Sequence, residues 1–463
     1  VTKVLTPETI RFCMCFPDVY EIGMSHLGMQ ILYAMFNRRE DVWCERLFSP
    51  WTDLDKVMRE QHIPLFALES QDPVKNFDFL GFNILQVLDL SGIPLHAKDR
   101  TEEVPIVIGG GPCAYNPEPL AAFFDMFYIG EGETQYDALF DLYKENKQNG
   151  GSRMDFLEAA AKLPGIYVPM FYDVAYNEDG TIASFTPNKE GIPATITKEL
   201  VMDMNDVPYL EKPVVPYLKV TQDRVVLEIQ RGCIRGCRFC QAGNIYRPLR
   251  ERSLEYLKDH AYKMLKSTGH EEISLSSLSS SDYSHLKEIV NFLIDEFQGK
   301  GVNISLPSLR IDAFSLDVMS KVQDIKKSSL TFAPEAGTQR MRDVINKGLT
   351  EEIILKGAAE AFHGGWNRVK LYFMLGLPTE TKEDMEGIAL LSEKVAELYY
   401  DEIPKEQRNG KVQVVASSSF FVPKPFTPFQ WAQMCTKEEF LERAYIVKDK
   451  FKEMLNRKSL KYN

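Results

Sequence analysis

The chain reads as an α/β protein in two parts: an N-terminal doubly wound domain over residues 1–150 and, over residues 218–435, a partial barrel of six βα units. Three observations predict this. Short apolar runs alternate with helical stretches along both halves, the pattern of parallel sheets whose crossovers are helices. Several of those runs end in glycine loops or polar motifs, and the carboxyl ends of parallel strands are where such folds keep their ligands. The stretch between the parts, 151–217, is rich in proline and turn residues, which marks a linker subdomain.

In the first part, IRFCMCFPDVY reads as a strand and loop, MSHLGMQILYAMFNRR as a helix and FDFLGFNIL as a strand. VPIVIGGGPCAYNPEP and FFDMFYIGEGE read as strands ending in glycine loops. Gly109, Gly110 and Gly111 follow the VPIVI strand, so backbone amides there can approach a phosphate or nucleotide tail, although such a turn is also a common tight connection. The linker contains GIYVPMFYDVAYNEDGTIASF, a β-hairpin closed near Asn177 to Gly180. The second part supplies VVLEI, EEISLSSL, VNISLPSL, SSLTFAPE, RVKLYFML and VQVVASSSFF, each separated from the next by a helical stretch. A helix is expected over 436–463. The sequence starts without Met and stops within a helical pattern, which suggests a piece whose next domain is missing.

Of 463 residues, 44% are hydrophobic and 26% charged, as in a globular protein. No apolar run approaches the roughly 18 residues that span a bilayer, and the start lacks the layout of a signal peptide. The expectation is a cytoplasmic protein without a membrane partner. The net charge of −12 should repel nucleic acid backbone. A local basic stripe can still form from Arg247, Arg250 and Arg252 or from the Lys/Arg-rich end at 448–461, which otherwise reads as a solvated helix face.

The chemistry is carried by Cys233, Cys237 and Cys240 in RGCIRGCRFCQAGNIYRPLRERS, a CxxxCxxC triplet at residues 231–253. Three thiolates at this spacing leave one corner of a cubane iron–sulfur cluster without a protein ligand. Four-cysteine clusters only pass electrons, whereas an open coordination position can bind and activate a substrate. A structural zinc site usually needs a second pair of ligands, and no second knuckle accompanies the triplet. Three of the eight cysteines thus need reduced thiolates, which fits a reducing compartment.

The triplet, with Phe239 just before its third cysteine, resembles the radical S-adenosylmethionine (SAM) superfamily. The resemblance implies a [4Fe-4S] cluster on the three cysteines, with SAM chelated at the open iron and cleaved reductively to a 5'-deoxyadenosyl radical. It also implies an external reductant such as flavodoxin or ferredoxin. GGGPCAYNPEPLAAFFDMFYIGEGE resembles the Rossmann-like, cobalamin-binding-like domain that precedes the radical domain in many cobalamin-dependent relatives. The DxHxxG motif of that domain is absent, and His26, in MSHLGMQ, has its glycine at another offset and reads as a packing or capping residue. Cobalamin, if bound, would sit without a histidine beneath its cobalt. At residues 81–84 the chain is shorter than the family pattern, either because a loop is deleted there or because it is missing from the sequence as it stands, and the gap removes residues that would contact a corrin.

The same resemblance assigns roles at the strand ends. After the second strand, Ser276, Ser279 and Asp282 occupy the place of the motif that holds the cofactor's amino group. Hydroxyls and a carboxylate suit an ammonium, and the run also reads as a plain loop. Arg310 and Asp312 fall on one face by the strand period, either to grip a carboxylate or to form an inter-strand ion pair. Glu335 takes the position of the side chain that meets the ribose, with Arg340 and Lys347 as lesser candidates. Gly376, Pro378 and Thr381 match the turn that contacts adenine.

The expected function is therefore a radical SAM enzyme acting on an unactivated carbon, with cobalamin-dependent methylation as one form. A methylthiotransferase-like reading would place a second cluster on Cys13 or Cys15, Cys44 and Cys113, although buried cysteines are common core residues. A third reading is an iron–sulfur redox sensor or scaffold. RNA, a peptide side chain and a small metabolite all remain open as substrate.

Overall fold

A computed structural model describes residues 1–81, 85–305 and 330–463. The chain divides into two compact units, Val1–Asp223 with Lys266–Thr268, and Arg224–Leu265 with Gly269–Asn463.

In the first unit, β1 (Ile10–Phe16), β2 (Val42–Phe48), β3 (Phe79–Gly81), β4 (Ile106–Gly109), β5 (Met126–Tyr128) and β6 (Ile166–Tyr167) form one sheet in the order β2-β1-β3-β4-β5-β6. The first five are parallel and β6 closes the edge antiparallel to β5. The order 2-1-3-4-5 is that of a doubly wound sheet whose direction of winding reverses between β1 and β3. Residues 82–84, where the sequence departs from the family pattern, lie outside the described residues. Phe12, Phe36, Phe79 and Phe140 pack ring to ring in the core, with centroids 4.9 to 6.0 Å apart. Edge-to-face pairs of this kind add about 1 kcal/mol each beyond their buried area. The hairpin expected in the linker is β7 (Tyr172–Tyr176) and β8 (Ile182–Pro187), turning at Gly180.

In the second unit, β9 (Val225–Glu228) is followed by a short antiparallel ladder of β10 (Gln230–Arg231) and β11 (Arg250–Glu251) that brackets the cysteine loop. β12 (Glu272–Ser276) and β13 (Asn303–Ser305) pair parallel with β9 in the order β13-β12-β9. β14 (Leu330–Glu335), β15 (Arg368–Leu375), β16 (Gln413–Phe420) and β17 (Leu460–Tyr462) form a second parallel sheet in chain order. All six expected strands are present. β17 is additional, and follows the helix Lys437–Glu453 that the sequence led us to expect at this end.

Along β15, Val369, Leu371, Phe373 and Leu375 are buried in alternation with more exposed residues, the period of a strand with one face on a core. That core is completed by the helices Glu351–His363 and Lys382–Glu402. The second helix comes so near the end of β14 that a Cβ built on Gly337 would lie 2.2 Å from the Ile388 nitrogen and 2.9 Å from the Asp384 carbonyl oxygen. Because backbone atoms cannot rotate aside, Gly337→Ala is expected to cost about 3 kcal/mol, measured as a lower denaturation midpoint at unchanged m-value; an unshifted midpoint would contradict the close approach.

Candidate functional site

The cysteine loop leaves β10 through Gly232, whose φ of +93° places it in the left-handed region, and re-enters the fold at the short helix Ala242–Ile245. Cys233, Cys237 and Cys240 are partly exposed thiols, none in a disulfide. The Gly243 N–H donates to Cys240 Sγ at 3.4 Å, and the Asn244 amide holds the Cys240 carbonyl at 2.8 Å. Among the described residues no three His, Cys, Asp or Glu side chains converge on one point; the three thiols share one loop without meeting. Their donor chemistry fits an iron–sulfur cluster, and metal binding commonly supplies the last ordering of such loops. Phe239 packs beside a small apolar cluster of Ala336, Met341, Ile345, Leu377 and Phe421. The aromatic residue before the third cysteine thereby ties the loop to the ends of β14, β15 and β16.

Two further sets of bonds hold the loop. Arg235 grips Asp282 with both arms of its guanidinium, Nε reaching Oδ2 at 3.0 Å and Nη2 reaching Oδ1. The Asp282 side chain is only 6% exposed, so the carboxylate expected to face the cofactor's ammonium is here engaged by the cysteine loop. On the other side, the Arg238 N–H and guanidinium donate to the carbonyls of Ile345 (2.9 Å) and Val344 (2.7 Å), and the Asn346 amide donates to the Gly236 carbonyl at 2.8 Å. Sequence reasoning missed Arg235, Arg238 and Asn346. Only Asn346 had a local signal, since Asn-Lys-Gly after a helix is a left-handed cap pattern.

The serine run follows β12. The Ser276 carbonyl accepts from the Ile229 N–H at 3.0 Å. Ser279 is buried, and its carbonyl accepts from the side-chain amide of Gln230, itself 1% exposed, at 2.6 Å. Gln230 is a fourth residue that the sequence reading overlooked. Arg310 and Asp312 lie outside the described residues.

Glu335 stands at the end of β14, after a bulge in the pairing with β15, with φ +69°. Left-handed backbone at a non-glycine residue costs of order 1–3 kcal/mol and clusters at functional sites. Its carboxylate meets Lys347 Nζ at 3.0 Å, both side chains less than one-fifth exposed. Arg340 does not join this pair. It bonds the Thr379 carbonyl at 2.8 Å and the Asp384 carboxylate, fastening the turn after β15 to the helix behind it. In that turn Gly376 (φ +78°) donates its N–H to Glu380 at 2.8 Å, and Glu380 pairs with Arg443 at 2.9 Å. Burial pushes the Glu380 carboxyl up, against those two partners. Pro378 lies in the same turn. Thr381 caps the helix Lys382–Glu402, its N–H donating to Asp384 at 2.9 Å.

Burial would raise the Asp384 pKa, but the hydrogen bonds from Arg340, Thr338 and Thr381 outweigh it and hold the value at about 2. A depressed carboxylate contributes stability in full above its ordinary value near 3.8, and that contribution is lost as pH falls from there toward 2. Arg340→Met is therefore expected to unfold at a higher pH than the native chain on acid titration followed by near-UV circular dichroism. Coincident curves would show that Arg340 does not hold Asp384 down.

In the first unit, Gly109 ends β4 with the Phe127 ring 2.6 Å from where its Cβ would be, and Gly111, at φ +82°, starts a single short turn, with Gly110 between them. Ring packing thus accounts for Gly109. His26 caps the helix Leu27–Arg38, its Nδ1 accepting from the Met29 N–H at 3.1 Å. Cys13, Cys15 and Cys44 lie fully buried in the apolar core, where burial raises the Cys13 and Cys44 thiols well above their ordinary value. Protonated core thiols fit packing better than ligation, and Cys113 is exposed. The basic stripe after the cysteine loop does not form: Arg250 and Arg252 are buried, Arg250 on the carbonyls of Tyr246 and Pro248 and Arg252 beside Glu228.

Residues 227–391 match the radical SAM superfamily, and residues 28–169 match the N-terminal region of radical SAM proteins. The chain belongs to the radical SAM superfamily. It is 32% identical over 423 residues to an uncharacterised protein of Methanocaldococcus jannaschii, covering 90% of this chain and 78% of that one. A protein of the same organism provisionally named a methylthiotransferase is 24% identical over 212 residues, 42% of this chain and 46% of that one. Among solved structures, the cobalamin-dependent radical SAM enzyme OxsB, with aqua-cobalamin and SAM bound, superposes with a TM-score of 0.55 at 14% identity. That match covers 86% of this chain but only 56% of OxsB, so the chain spans little more than half of that enzyme. The radical SAM methyltransferase TsrM from Kitasatospora setae, with cobalamin and a [4Fe-4S] cluster bound, gives 0.54 at 12% identity, covering 91% of this chain and 74% of TsrM. These likenesses establish a shared fold. No helix among the described residues is long and apolar enough to cross a membrane.

Proposed function

We propose that this chain is a radical SAM enzyme whose cluster is held by Cys233, Cys237 and Cys240. The observation that carries the reading is the anchoring of the three-cysteine loop to the carboxyl ends of two parallel sheets, through Asp282 after β12 and through residues 344–346 after β14. A loop that served only as a structural clip would need no such setting. We read the two sheets as parts of one partial barrel, in keeping with their parallel strands and with the strand-end placement of the cysteine loop, Glu335 and the Gly376 turn. When bound, the cluster and SAM would supply reductive cleavage to a 5'-deoxyadenosyl radical, with electrons from a flavodoxin or ferredoxin in the cytoplasm.

The protein's part is to bind and orient. Glu335, held by Lys347, offers carboxylate oxygens to ribose hydroxyls. The turn at Gly376 and Pro378, shaped by Glu380, offers backbone groups to adenine. With Asp282 engaged by Arg235, the ammonium falls to the serine hydroxyls of the 276–281 run. Methyl transfer through cobalamin is the form of the reaction that OxsB and TsrM, by their names, suggest. For that form a corrin would lie at the β1/β3 reversal of the first sheet, the crevice where doubly wound sheets take their ligands.

The test is anaerobic reconstitution with iron and sulfide, followed by addition of SAM to the reduced protein. The proposal expects about four irons per chain and an electron paramagnetic resonance spectrum altered by SAM. A spectrum indifferent to SAM in a fully loaded protein would support the redox-sensor reading instead. Cobalamin retained through gel filtration would support methyl transfer.

A further inference from the structure

We propose that Asn346 is a positioning residue that couples the cysteine loop to the carboxylate at the end of β14, so that filling the loop raises affinity for the ribose of an adenosyl ligand. This rests on the reading of Glu335 given above. Residues 344–347 make contacts in two directions. Toward the loop, the Val344 and Ile345 carbonyls accept from Arg238, and Asn346 Nδ2 donates to the Gly236 carbonyl at 2.8 Å. Toward the strand end, Lys347 Nζ meets Glu335 Oε1 at 3.0 Å.

The simplest account of Asn346 is a helix cap: it follows the helix Gln339–Val344 with φ +52°, where asparagine is a common choice. Capping uses only the backbone, however. Here the side-chain amide reaches across 110 residues to a carbonyl between the first two cysteines. The partner is a glycine whose Cβ, if present, would come 2.9 Å from Asn346 Nδ2, so the contact is tight on both sides. Glu335, at the far end of this strap, sits in backbone that only its surroundings can hold. A loop that becomes ordered on taking up a cluster therefore also orders Asn346, Lys347 and, through them, Glu335. A ligand for Glu335 then meets a site whose ordering cost has already been met.

The probe is 5'-methylthioadenosine, which carries adenine and ribose but no amino or carboxylate group to chelate iron. Its Kd is measured by calorimetry under anaerobic conditions on the full chain, cluster-free and cluster-loaded. The native protein is expected to bind it about five-fold or more tightly when loaded. Asn346→Gly keeps the left-handed backbone and removes the amide; its two affinities are expected to converge. Lys347→Met, which leaves the cap intact, is expected to do the same, and it serves if the glycine variant fails to fold. A loaded-to-empty ratio that stays at the native value in either folded variant overturns the coupling, as does a native ratio of one. Glu335→Gln separates the two levels: if it binds the probe as tightly as the native loaded protein, the ribose reading of Glu335 fails.

Discussion

Replacing Gly232 with alanine is expected to give a chain that folds but takes up less than about a tenth of the native complement of iron. A Cβ at this position would lie 2.7 Å from the carbonyl oxygens of both Tyr246 and Pro248 and 3.1 Å from the Leu249 Cα. All three are backbone atoms of the segment that returns from the loop, so no side-chain rotation relieves the overlap. The φ of +93° adds strain that only glycine avoids. Overpacking and strain of this kind cost about 1–3 kcal/mol each. The cheapest relief is to displace the chain just before Cys233, which moves the first thiol away from the other two. Gly243→Ala is the contrast: its Cβ would make an ordinary contact, 3.6 Å from Cys240 Sγ, and iron uptake should survive. Iron per chain after reconstitution, set beside the thermal melt of the empty protein, checks both. Native loading in Gly232→Ala would mean that the entry turn does not set the position of Cys233.

Arg235→Met and Asp282→Asn are expected to weaken cluster loading to the same extent, and the double variant to do no worse than either. The pair is bidentate and Asp282 nearly buried. Losing one partner of such a charge-assisted contact costs about 2 kcal/mol, or a factor of about 30 in the loading equilibrium. Non-additivity is the mark of residues acting through one another. The competing reading, in which Asp282 binds the cofactor's ammonium, predicts that Asp282→Asn keeps its cluster and loses SAM affinity, while Arg235→Met keeps both. Titration of iron and then of SAM into the three variants separates the two.

What the sequence made legible was whatever is written locally. The cysteine triplet is a spacing, and the strands of the second half are apolar runs long enough to show their period. β17 was missed because three residues, Leu460, Lys461 and Tyr462, carry no period and sit in a lysine-rich end. The β10–β11 ladder was missed because it is two residues long on each side and its partners, Gln230 with Glu251 and Arg231 with Arg250, are 21 and 19 residues apart. The same limit governs the site. Glu335, Gly376 and Asp282 were found as motif positions, but the arginine facing Asp282 lies 47 residues away, and nothing local says that this carboxylate is already engaged. Arg340, a lesser ribose candidate by its motif position, and Arg250 and Arg252, candidates for a basic stripe, are stitches in the fold. Asn346 carried a cap signature whose partner only the folded chain reveals.

The most direct measurement is chromatography for 5'-deoxyadenosine after the reconstituted, reduced protein is incubated with SAM, alongside Cys240→Ala. The native chain is expected to form it and the variant to give none above background, with both folded by circular dichroism. Equal amounts from the two, or none from a native protein carrying a full cluster, would contradict the radical SAM reading.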